Sequence, residues 1–186
     1  MKQKLLYDVA LLDIPNESAS KIYDSWCNLI GRCYSKSQLS RRPTYTGCKV
    51  CDEWLIYSNY KNWYLDNYID GYHLDKDILS GNSKIYSPET CVFIPVNLNV
   101  LLTDRRNGRG KYPLGVNYEP KWNRYKACIS IGGKVKHLGY FKTPELAHEC
   151  WVAAKKKYVS ECANEAYAKG EISERVRDAL LNRKFE

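Results

Sequence analysis

Residues 124–147 read Arg-Tyr-Lys-Ala-Cys-Ile-Ser-Ile-Gly-Gly-Lys-Val-Lys-His-Leu-Gly-Tyr-Phe-Lys-Thr-Pro-Glu-Leu-Ala, and their pattern decides the fold of the C-terminal half. Tyr125, Ala127, Ile129 and Ile131 alternate with Arg124, Lys126, Cys128 and Ser130, which is the two-residue period of a half-buried strand. Gly132-Gly133 supplies a two-residue hairpin turn, so residues 134–141 return as the partner strand. Thr143-Pro144-Glu145 then opens a helix, with a hydroxyl to cap it, a proline where no amide is needed and a carboxylate at the positive end. Leu146, Ala147, Cys150, Trp151, Ala154 and Tyr158 fall on one face of that helix, and three lysines lie toward its negative end. The apolar face must pack on the sheet. With the segment that opens at Gly115-Val116, this predicts a three-stranded antiparallel sheet packed on one helix over residues 115–160.

Working outward, residues 104–114 are rich in Gly and Arg with little to bury, and they read as a basic linker. At the other end, Ile172, Val176, Leu180 and Leu181 share a helical face, so residues 161–186 form a helical tail that either packs or dimerises. The N-terminal module, residues 1–103, starts with an ordered lead-in over residues 1–20. Ile22, Trp26, Leu29, Ile30 and Cys33 then recur at helical spacing, the polar residues 35–46 are expected to form a loop, and Trp54, Tyr57, Tyr60, Trp63 and Tyr64 make an aromatic stripe of core character. Gly81-Asn82 reads as a turn, and Ser87-Pro88-Glu89 as a helix start or tight turn. The fold class is α+β.

The 29 Lys and Arg against 21 Asp and Glu leave a net charge of +8, which favours an acidic partner and above all nucleic acid. Between Arg105 and Lys142 there are ten Lys or Arg and one acid, Glu119. That is the electrostatic footprint of phosphate binding, with a solvated basic face as the plain alternative. No apolar run approaches the roughly 18 residues that cross a bilayer, and residues 1–20 lack the order of a secretion signal. A cytoplasmic protein without a membrane partner is expected, and in that setting the eight cysteines read as reduced thiols or metal ligands.

The C-terminal pattern, with Gly115-Val116, Tyr125 to Ile129 and residues 138–147, is similar to the DNA-binding domain of plant ethylene-response factors, whose shape integrase arm-binding domains share. The resemblance implies that the sheet face turned away from the helix lies in the major groove of double-stranded DNA. The corresponding positions here are Asn117, Glu119, Arg124, Lys126, Cys128, Ser130 and His137. Arg124, Lys126, Lys121 and Lys134 suit phosphates, and Tyr118 or Trp122 suits sugar or base edges.

Residues 74–95, together with Trp26 to Ser35, Tyr45 to Trp54 and Tyr60 to Trp63, resemble phage-encoded HNH-like, homing-type endonucleases, in which a ββα element holds a divalent ion. Asp75 matches the first aspartate of that pattern, Lys76 stands where the general-base histidine is usual, and Thr90 stands where asparagine is usual. The resemblance implies hydrolysis with Mg²⁺ or Mn²⁺ inside the bacterial host during infection. If residues 73–77 are a strand, Asp75 and Asp77 share a face as metal ligands with His73 as base or ligand, Asn82 and Glu89 position water or complete the shell, and Lys76 points away as a phosphate clamp. The pair Cys48 and Cys51, completed by Cys33 or Cys91, has the spacing of a structural zinc site, against the alternative of buried reduced thiols. Three functions therefore stand: a DNA endonuclease, a catalytically silent DNA-binding regulator on the same scaffold, and an interaction module directed at a host protein.

Overall fold

The computed structural model describes residues 5–81, 83–102 and 110–185. It is an α+β chain that divides into two compact units, Met1–Pro95 and Val96–Glu186. The divide places the helix after Pro95 with the C-terminal unit, and residues 104–109 of the expected linker lie outside the described residues. No described helix is long and apolar enough to cross a membrane.

In the first unit, α1 (Lys21–Tyr34) is capped by Ser20, whose hydroxyl accepts the Tyr23 amide. Its buried face carries Trp26, Leu29, Ile30 and Cys33, as the spacing predicts. The segment expected to be a loop is instead ordered. Ser35 ends α1 and caps α2 (Lys36–Arg41), and Pro43–Tyr45 makes a further tight turn. One serine serves both helices, and a polar stretch with no apolar stripe hides so short a helix from a periodicity argument. The aromatic stripe starts in the tight turn Asp52–Leu55 and continues along α3 (Tyr57–Asn67). Trp26, Trp54, Tyr57 and Tyr60 are fully buried; Trp26 Nε1 donates to the Trp54 carbonyl at 2.7 Å, and the rings meet edge to face at 5.2–5.3 Å. Each such pair contributes about 0.5–1.5 kcal/mol beyond burial. The lead-in docks onto this core through Leu11, whose amide donates to the Leu55 carbonyl and whose carbonyl accepts from Tyr57.

Two small sheets complete the unit. β1 (Lys49–Val50) pairs in parallel with β3 (Ile85–Tyr86), and β2 (Tyr72–Asp75) pairs antiparallel with β4 (Val92–Pro95), with Asp75 opposite Val92 and His73 opposite Ile94. Between them lies a single helical turn, α4 (Asp77–Ser80). Residues 87–90 form a tight turn, not a helix start.

The second unit begins with α5 (Val96–Leu102), followed by β5 (Val116–Glu119), β6 (Arg124–Ile131) and β7 (Lys134–Phe141) in the order β5-β6-β7. Gly132 and Gly133 both take positive φ, 56° and 77°, the two-residue turn that matches strand twist. The helix α6 (Pro144–Ala168) starts at Thr143, whose hydroxyl accepts the Leu146 amide. It continues past residue 160, so the expected module and tail share one helix, and α7 (Glu174–Leu181) packs back on it with Val176 and Leu180 buried. Val116, Ala127 and Ala147 form the buried centre between sheet and α6, with Tyr125, Leu138 and Phe141 around them. Gly115 has φ +75°, and a Cβ there would stand 2.0 Å from Cδ1 of Trp151. Only glycine allows the strand to start so close to the helix.

Candidate functional site

The face of the sheet turned away from α6 is set by register. Asn117 pairs with Lys126, Glu119 with Arg124, Cys128 with His137 and Ser130 with Val135, so the positions that the resemblance points to, Asn117, Glu119, Arg124, Lys126, Cys128, Ser130 and His137, lie side by side on one surface. Two expected contacts do not belong there. Tyr118 is opposite Tyr125 on the helix-side face, where it packs on Tyr112 and Tyr125 and donates its hydroxyl to Asn123 Oδ1 at 2.7 Å. Lys134 is opposite Ile131, one step out of phase with the open face.

A residue that alternation assigns to the wrong side joins the surface. The register shifts between Ala127 and Cys128, which pair with Gly139 and His137, leaving Leu138 as the extra residue of a β-bulge. His137 and Tyr140, three apart and thus on opposite faces of a regular strand, are brought to the same face, with ring centroids 4.5 Å apart. Trp122, half exposed in the turn Pro120–Trp122, meets Tyr140 edge to face at 4.6 Å. Lys121 Nζ lies 5.7 Å from the Trp122 ring centroid. The surface is an aromatic row, Trp122, Tyr140 and His137, flanked by Lys121, Arg124 and Lys126. Ammonium and guanidinium groups serve phosphates, while ring edges and faces serve sugar and base. The sequence signal for Tyr140 is Gly139, since a glycine inside a strand marks a bulge.

The acidic loop of the first unit is arranged otherwise than a continuous strand would place it. β2 ends at Asp75, and Lys76 has helical torsions, φ −113° and ψ −16°, so Asp77 leaves the face that His73 and Asp75 share. Asp75 Oδ1 accepts the amides of Asp77 and Ile78 at 2.8 and 2.9 Å and so closes the first turn of α4. Lys76 is a buried residue, not an outward phosphate clamp: its ammonium pairs with Asp77, reaches the Ser83 carbonyl at 3.4 Å and stands 5.5 Å from the Tyr86 ring centroid. Burial, the largest influence, opposes its charge, but the hydrogen bond and charge of Asp77, together with Cys48 and Asp75, move its pKa above the ordinary lysine value. Glu89 is the exposed residue of the turn 87–90, near Cys51, and Thr90 Oγ1 closes that turn by donating to the Ile85 carbonyl at 2.8 Å. Asn82 lies outside the described residues.

A divalent ion for hydrolysis requires several carboxylate or imidazole groups directed at one point. Among the described residues, no three His, Cys, Asp or Glu converge in that way. Asp75 is bound to two backbone amides and Asp77 to an ammonium. The four cysteines expected to hold zinc lie in or against the core of the first unit. Cys33, Cys48 and Cys91 are buried in the aromatic core, Cys51 is half-buried, and all four are free thiols. Burial pushes Cys33 and Cys91 up to about 12.

In comparisons with known proteins, no family model matches the chain, no curated protein matches it, and no solved structure matches it.

Proposed function

We propose that this chain binds double-stranded DNA through the open face of β5-β6-β7 and acts as a DNA-binding regulator that does not cut. The observation that carries the reading is the bulge-built row of Trp122, Tyr140 and His137 between Lys121, Arg124 and Lys126 on a face that α6 leaves uncovered. A duplex supplies both partners that such a face needs, a phosphate track for the cations and groove edges for the rings. The resemblance to ethylene-response-factor domains points the same way and assigns the same face. The test is fluorescence anisotropy of a labelled duplex in chelator. Arg124→Gln with Lys126→Gln is expected to weaken binding about tenfold and to lower the slope of log affinity against log salt by about 2, at roughly 0.9 per lost phosphate contact. Unchanged affinity at moderate salt rejects the sheet as the DNA surface.

A second reading, a phage-type HNH-like endonuclease, is favoured by the chain order of antiparallel β2 and β4 followed by α5. It predicts nicks or breaks in plasmid that require Mg²⁺ or Mn²⁺ and vanish in Asp75→Ala. Retarded but intact plasmid under all conditions supports the first reading.

A further inference from the structure

The long basic run between Arg105 and Lys142 draws attention to the second unit, yet the first unit carries a basic segment of its own. From Arg32 to Cys51 the chain holds Arg32, Lys36, Arg41, Arg42 and Lys49 and no acid. The fold gathers much of this charge and adds to it. Arg32, in the last turn of α1, stands 5.7 Å from the Tyr45 ring centroid, and the Tyr45 amide bonds the Arg42 carbonyl. One residue past Tyr45, the Thr46 carbonyl accepts Lys84 Nζ at 2.7 Å. The Lys84 carbonyl in turn accepts the Lys49 amide as β1 meets β3. Arg42, Lys49 and Lys84 are exposed. Acids begin at the far end of the segment: Asp52 and Glu53 follow Cys51 directly, and Glu89 approaches Cys51 from the turn 87–90.

Arg32 differs from the other cation of this region. Both flank Tyr86, Lys76 over its face and Arg32 beside its hydroxyl. Lys76 has Asp77 as its counter-ion, whereas among the described residues Arg32 has no carboxylate within ion-pair distance. A half-buried guanidinium braced on an aromatic ring, with three exposed cations on the adjoining turns, is a fork held ready for an external anion, and phosphate fits its geometry two oxygens at a time.

We infer that Arg32, Arg42, Lys49 and Lys84 form a second phosphate-binding surface, on the first unit, for the backbone of duplex nucleic acid. The inference rests on the DNA-binding reading above. It assigns the first unit a binding role that needs no metal and no base contact.

The test uses the full chain in chelator with a duplex of about 30 base pairs of arbitrary sequence, titrated between about 50 and about 300 mM salt. Arg42→Gln/Lys49→Gln/Lys84→Gln is expected to bind about tenfold or more weakly and to flatten the salt slope by about 2–3, and Arg32→Gln alone by about 1. Because Lys84 also braces Thr46, each variant is checked by thermal unfolding, and Arg42→Gln/Lys49→Gln, which leaves that contact intact, is expected to flatten the slope by about 2. If these variants keep the parent slope and affinity while Arg124→Gln/Lys126→Gln loses both, the surface on the first unit is refuted and the sheet reading stands. If the unsubstituted chain fails to bind duplex at all, both fall together.

Discussion

At the scale of single residues, the positions with most leverage are those where a neighbour leaves no room or no alternative partner. Gly115 is the clearest, since its φ of +75° and the Trp151 indole both exclude a Cβ. Gly115→Ala is expected to destabilise the second unit by about 2–4 kcal/mol, combining overpacking with left-handed strain, read as a lowered urea midpoint. A parent-like midpoint contradicts the close approach of strand and helix. Tyr140 makes a different kind of claim. Tyr140→Ala removes the ring between Trp122 and His137 and is expected to cost about tenfold in duplex affinity through lost sugar and groove-edge contacts, with little change in stability because the ring is exposed. Anisotropy and thermal unfolding on the same sample separate the two effects. Lys76 shows how one residue can mislead a sequence reading. Strand alternation turns its charge outward, whereas a single helical torsion turns it inward onto Asp77.

At the scale of elements, hairpin, cap and helix face in the second unit were legible because each has a short-range cause: alternation, two glycines, and a hydroxyl before a proline. The bulge at Leu138 was only hinted at by Gly139, since its position depends on how β7 pairs with β6, and that pairing decides which face Tyr140 occupies. The same holds for α2, whose existence rests on Ser35 serving two helices, and for β1 with β3, whose parallel pairing joins residues far apart in the chain. The tail illustrates the converse. Its stripe of Ile172, Val176 and Leu180 was readable, and the fold shows that it packs back on α6. Leu180→Ala is expected to cost about 2–4 kcal/mol while leaving duplex affinity of the folded protein unchanged; loss of affinity without loss of stability would give α7 a direct role in binding.

At the scale of the whole molecule, two units with separate cores should answer pH differently. Cys33 and Cys91 are held up to about 12 by burial, against an ordinary thiol near 8.5. The unfolded chain therefore ionises first. The stabilisation from these neutral thiols is complete below about pH 8.5 and is lost as pH rises from there toward about 12. Urea unfolding followed from pH 7.5 to 10.5 is expected to show the first unit weakening, and Cys91→Ala is expected to flatten that limb. Cys33, Cys48 and Cys91, all buried, should also react with an alkylating reagent only on unfolding. The proposed nucleic-acid role, by contrast, rests on charges and rings at the surface of each unit. The most direct test of it is amide chemical-shift mapping of the full chain titrated with duplex DNA in chelator. The account predicts shifts concentrated at Asn117, Lys126, Cys128, His137 and Tyr140, accompanied by Arg42, Lys49 and Lys84, with α7 unmoved. Shifts confined to α6 and α7, or none at saturating duplex, would contradict it.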